Sequence, residues 1–224
     1  MKLPITTGIE YEIGVTAEVP KDIHGWIRGT DQSAGWEWKS GVLRETEEVE
    51  SIRTLVDEAK RVGRIHDKCG IHIHLGFDIK QVPDMRVKYR LMRLLHRYED
   101  MILDLEKPHA NRACFCAKLP DAAWEPLKTG GGFGYFGQES VGRYWWVNPV
   151  AIKKYGTLEF RFINTTYDWQ RIVGWVHILQ SLLCSAISGT KVEWEKSSDR
   201  QEFKHYLMLP QGHAWNKYAE GILL

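Results

Sequence analysis

The stretch "GIEYEIG" (residues 8–14) sets Glu10 and Glu12 two apart among Ile9, Tyr11 and Ile13. In an extended chain the side chains alternate, so both carboxylates share one face and the apolar residues the other. "GIHIHLG" repeats the arrangement, with His72 and His74 opposite Ile71, Ile73 and Leu75. "TLEFRFI" does so again, with Glu159 and Arg161 opposite Leu158, Phe160 and Phe162. A fourth stretch, "DQSAGWEWKS", adds Asp31 and Glu37. Singly, each has a plain structural use: a wet edge-strand face, a solvated imidazole pair, a cross-strand Glu–Arg bridge. Together they favour one shared site, with helices covering the apolar side and the polar residues converging on the other.

Carboxylates crowded on one sheet face cannot all stay ionised at neutral pH unless cations neutralise them. Oxygen-rich sites with an imidazole suit Mg²⁺ or Mn²⁺, which also bind substrate phosphates. A neighbouring arginine suits a planar, two-pronged grip on phosphate or carboxylate. The combination describes phosphoryl-transfer chemistry, with Glu10 and Glu12 as metal ligands. The glycines at 130–132 are not followed by Gly-Lys-Ser/Thr, so they are no phosphate-binding loop. They read as a flexible loop, with a lid over the site as second choice.

The elements that must position these residues follow from periodicity. Alternating segments cover 5–15, 23–30 and 35–44, the last two flanking the turn-rich "GTDQSAG". "ESIRTLVDEAKRVG" predicts a helix closing on Gly63, and "CGIHIHLGF" returns to a strand. Val87, Leu91, Leu94, Leu95, Tyr98, Ile102 and Leu105 form the stripe of a long helix, with Pro108 beyond its end. Residues 109–142 read as irregular, and "RYWWVNPVAI" and "GTLEFRFI" as two strands. Asp168 is placed to cap a helix reaching about Gly189, and a short helix is expected around Phe203–Leu207. This order predicts an α+β fold with a mainly antiparallel sheet backed by helices. There is no internal repeat, and 1–224 reads as one catalytic domain with a helical tail at 190–224.

Bulk properties bound the rest. The 224 residues are 43% apolar and 26% charged, ordinary globular values. A net charge of +1 gives no field to recruit nucleic acid or an anionic membrane. No apolar run approaches a membrane span, and no signal peptide is seen. Cys69, Cys114, Cys116 and Cys184 lack the spacing of a zinc site or a disulfide scaffold, so reduced thiols in a cytoplasm are expected. The ten tryptophans are expected to build core or line a cleft.

"GIEYEIG", "DQSAGWEWKS", "CGIHIHLG", "GRYWWVNPV" and "GTLEFRFINTT" occur in the order and form of the amidoligases, which the chain resembles over about residues 5–180, with 107–140 matching poorly. These are compact members of the glutamine synthetase and glutamate–cysteine ligase superfamily. The resemblance implies a curved sheet with helices on its convex face, like a glutamine synthetase catalytic domain, and ATP and divalent metals on the concave face. It implies ATP-dependent joining of a small-molecule or peptide carboxylate to an amine through an acyl phosphate. Glu10, His72 and Glu159 would hold one Mg²⁺ or Mn²⁺; Glu12 and Glu37 would hold a second, with Asp31 as a candidate beside them. Arg161, helped by Arg143, would contact the transferring phosphoryl group, and His74 would lie beside the nucleotide phosphates. Homo-oligomerisation stays open. The alternatives are a guanidino-kinase-like phosphotransferase, or a non-catalytic domain of the same fold that binds nucleotide or a partner.

Overall fold

Strand β1 (Ile5–Val15), which carries Glu10 and Glu12, lies at the centre of the sheet. The structure is a computed structural model that describes residues 5–15, 22–23, 25–31, 35–43, 48–77, 85–129, 144–207 and 216–224. The other strands are β2 (Asp22–Ile23), β3 (Trp26–Asp31), β4 (Gly35–Lys39), β5 (Gly63–Arg64), β6 (Gly70–Phe77), β7 (Val147–Asn148) and β8 (Thr157–Asn164). They form an open sheet in the order β2-β3-β4-β1-β6-β8-β7, with β5 pairing to the end of β1, and every strand pair is antiparallel. The helices are α1 (Glu48–Val62), α2 (Met85–Glu106), α3 (Asp121–Lys128), α4 (Val150–Tyr155), α5 (Trp169–Ser188), α6 (Arg200–Tyr206) and α7 (Asn216–Leu223). The α+β class expected from the sequence is what the chain adopts.

The helices cover one sheet face. Ile9, Tyr11 and Ile13 of β1, Ile71, Ile73 and Leu75 of β6, and Phe160 and Phe162 of β8 share one core with Ile52, Leu55 and Val56 of α1, Leu91, Leu94 and Tyr98 of α2, and Ile172, Val176 and Leu179 of α5. Trp26, Trp38, Trp124, Trp146 and Trp175 are fully buried and Trp145 nearly so, which puts six of the ten tryptophans in the core. Asp168 caps α5 as expected, its carboxylate accepting from the amides of Gln170 and Arg171, and Gly189 closes the helix at φ 86°. By length and composition α5 could cross a membrane, unlike the sequence expectation that nothing approaches a span. Its apolar window is 72% buried inside the fold, as in a core helix.

Several boundaries differ from expectation. The 23–30 segment is split by Gly25, whose φ of 86° makes the turn between β2 and β3. The strand expected over "RYWWVNPVAI" shrinks to β7: Pro149 has no amide to donate and its fixed φ starts α4. The region read as irregular holds a 3₁₀ turn (Ala110–Arg112) and α3, which buries Trp124 against the core. The expected terminal helix is α6, and α7 follows it. Gly174 lets α7 approach α5 closely, since a Cβ there would lie 2.6 Å from the Tyr218 carbonyl oxygen. The glycine run at 130–132 lies outside the described residues.

Candidate active site

Strand register decides which polar residues meet. On the face opposite the helices, Glu10 stands between Lys39 of β4 and His72 of β6, while Glu12 faces Glu37 of β4. One step along, His74 faces Glu159 of β8, which faces Asn148 of β7. The β6–β8 register shifts between Ile71 and Ile73, which align with Ile163 and Phe160, so β8 carries one extra residue. That bulge breaks the alternation of β8: Phe162 and Ile163 are both buried.

A cleft of about 420 Å³ is lined by Glu10, Glu37, Lys39, His72, His74, Asn148, Glu159 and Arg161, with Val150, Ala151, Lys154 and Tyr155 of α4 along one side. A second cleft of about 400 Å³, bounded in part by Gly8, Gly41, Val42 and Thr157, shares Glu10, Lys39, His74 and Tyr155 with it.

The carboxylates are fixed by a dense set of partners. His72 Nδ1 lies 3.0 Å from Glu10 Oε2 and 3.5 Å from Glu159 Oε1, and its Nε2 lies 3.3 Å from Glu12 Oε1. The other oxygen of Glu12 accepts from the Gly70 amide at 2.6 Å. Glu159 accepts from Asn148 Nδ2 at 2.6 Å and pairs with Arg161 Nη1 at 2.5 Å. Arg161 Nε donates to the Phe115 carbonyl at 3.2 Å, tying it to the segment after α2. Behind the site, the buried Arg112 guanidinium donates to the carbonyls of Ile163 (2.7 Å) and Arg161 (2.6 Å). It lies over Gly70, where a Cβ would come within 1.9 Å of Nη2.

Electrostatics follow from this packing. Burial alone would raise the Glu10 carboxyl, but its interactions with His72 and His74 outweigh it and hold the group far below the usual carboxylate range. Glu159 is likewise held low against its burial by His72, Arg161 and His74. Glu37 is pushed up, chiefly by burial and with help from the Glu10 charge, despite its contact with Lys39. Lys39 rises despite burial because Glu37 and Glu10 both hydrogen-bond its ammonium.

The donor set fits a hard divalent cation. Glu10, His74 and Glu159 each offer a ligating atom, and these lie within 4.8 Å of one another. His74 Nε2 is buried without a hydrogen-bond partner among the described residues, 3.8 Å from Glu10 Oε1, while its Nδ1 is held by Thr157 Oγ1 at 3.1 Å. The sequence resemblance named His72 as the imidazole of this group. In the structure, the His72 ring nitrogens face Glu10, Glu159 and Glu12, and His74 is the one with an uncommitted nitrogen.

Glu10, Glu12, Glu37, His72, His74, Glu159 and Arg161 are thus brought together as one site. Arg143 lies outside the described residues, as does the side chain of Asp31. Sequence reasoning missed Lys39 and Asn148. Lys39 was legible, since it follows Glu37 by two on the same strand and so shares its face. Asn148 was not, because a two-residue strand has no period.

Comparison with known families adds one finding. The sequence model of the family described as "Putative amidoligase enzyme" matches residues 15–129, just over half of the chain. That span includes Glu37, His72 and His74, whereas Glu10, Glu12, Glu159 and Arg161 lie outside it. No curated protein matches the chain.

Proposed function

The chain belongs to the amidoligase family of ligase-type enzymes, and on that premise we propose that it is an ATP-dependent carboxylate–amine ligase using Mg²⁺ or Mn²⁺. The observation that carries this reading is the convergence of Glu10, Glu37, His72, His74, Glu159 and Arg161 on one cleft, with Glu12 beneath His72. Crowded carboxylates beside an arginine favour polyphosphate bound with its cations over a neutral ligand.

In this reading Glu10 and Glu159, with His74 or His72, hold one divalent cation, and Glu12 and Glu37 a second. Such ions, when bound, neutralise phosphate oxygens and polarise the transferring group. The chain's own residues supply the geometry. His72 locks Glu10 against Glu12, and Asn148 and Arg161 each take one oxygen of Glu159. The substrate carboxylate attacks the terminal phosphate of ATP, a P–O bond to ADP breaks, and an acyl phosphate forms. The amine then attacks the acyl carbon, phosphate leaves, and the amine proton is lost to solvent or a base. Arg161, at the cleft wall, stabilises charge on the phosphoryl group in transit. The adjoining cleft would take the second reactant in this reading.

Calorimetry with ATP tests the site: binding should require Mg²⁺ or Mn²⁺ and weaken in Glu159→Gln, and equal affinity without metal would overturn it. A panel of acids and amines read by ADP release tests the reaction. Turnover needing both partners supports the ligase; a stable phosphorylated acceptor would make the chain a phosphotransferase instead.

A further inference from the structure

We propose that Lys39 is the resident counter-ion of the cleft, which a divalent cation must displace in order to bind. The inference rests on the metal-binding reading above and goes beyond it, since it concerns what the carboxylates hold before metal arrives. Lys39 stands opposite Glu10 across the β1–β4 pair and shares the face of Glu37. Its Nζ lies 2.9 Å from Glu10 Oε1 and 2.8 Å from Glu37 Oε1, so one cation bridges an oxygen of each.

That Glu10 oxygen is the one facing the uncommitted His74 nitrogen. A metal taking Glu10 Oε1 together with His74 therefore competes with Lys39 for the same atom. The competition is possible because Lys39 can leave. Its side chain is 46% exposed, whereas that of Glu37 is 9% exposed. A lysine carries its charge on a flexible stem, and this stem runs past Gly29, where a Cβ would stand 3.3 Å from Cε and 3.0 Å from Glu37 Oε1. Gly29 keeps open the space in which the lysine moves. Without Lys39, the metal-free protein would hold Glu10 and Glu37 side by side with no ammonium between them. With it, the cleft is preformed, and the displaced ammonium stays tethered at the rim.

Calorimetric titration with MnCl₂ alone, on wild type, Lys39→Met and Lys39→Arg, tests the idea. Two ion pairs no longer have to be broken in Lys39→Met, so it should bind Mn²⁺ about tenfold tighter than wild type, and Lys39→Arg should stay near wild type. Equal or weaker binding by a folded Lys39→Met overturns the proposal. A second measurement uses wild type only: amine acylation read by mass spectrometry should show Lys39 becoming more reactive when Mn²⁺ is added, and unchanged or reduced labelling overturns it. If no form binds Mn²⁺, the metal reading falls and this inference falls with it. If wild type binds and Lys39→Met gains nothing, the metal reading stands and only the role of Lys39 is lost.

Discussion

Arg161 Nη1 lies 2.5 Å from Glu159 Oε1, although the two residues are only two apart on β8. Both are largely buried in side chain, at 14% and 7% exposure, and both line the cleft. The pair fits either a structural bridge or a preorganised catalytic arginine, and the two roles respond differently to substitution.

Arg161→Lys keeps the charge and loses the planar fork, including the contact to the Phe115 carbonyl. If the guanidinium acts on the phosphoryl group in transit, turnover should fall by roughly two to three orders of magnitude, about 3–4 kcal/mol. Melting temperature should change little by comparison. A lowered melting temperature with near-normal turnover would leave only the structural bridge.

Gly70 is held in place by its neighbours rather than by its own backbone needs. Replacing it with Ala would push a methyl into Arg112, which grips the carbonyls of Arg161 and Ile163, and would disturb the amide that Glu12 accepts from. Gly70→Ala should therefore cost about 1–3 kcal/mol in urea unfolding. A change within the noise of that experiment would show that Arg112 yields freely and is no fixed support of the site.

His96 offers a pH test away from the cleft. It is buried on α2, edge-on to Trp124 (4.9 Å) and Trp194 (5.5 Å), and its Nδ1 has no partner among the described residues. Burial, reinforced by Lys128 and Lys196, lowers its pKa below the ordinary 6.5. The unfolded chain thus binds the proton more readily than the folded one. Its contribution to stability is complete above pH 6.5 and is lost as pH falls through the lowered value. Melting temperature should drop as pH falls from 6.5 toward the lowered value, and His96→Gln should flatten this part of the profile. An identical profile in the variant would assign the acid sensitivity to other groups.

The cysteines should be dispensable. No disulfide joins any of the four cysteines, and burial raises the pKa of Cys69, which disfavours the reactive thiolate. Folded Cys69→Ser should keep turnover within about twofold of wild type, since no covalent step through sulfur is invoked. Loss of activity there would replace direct transfer to ATP-activated carboxylate with a thiol mechanism.

The period-two pattern determined which side chains share a face: Glu10 with Glu12, His72 with His74, Glu159 with Arg161. Capping chemistry likewise located both ends of α5 from Asp168 and Gly189 alone. These are local properties, set by backbone geometry within a few residues. Which strand lies beside which, and in what register, is set by pairing between segments far apart in the chain, and a shift of one residue would turn a side chain to the other face. Only the tertiary structure could therefore place Glu10 between Lys39 and His72, and Glu159 between His74 and Asn148, or use an extra residue on β8 to do so. The same holds for α3 and for the β7–α4 junction, where burial of Trp124 and the ring of Pro149 outweighed weak local periodicity.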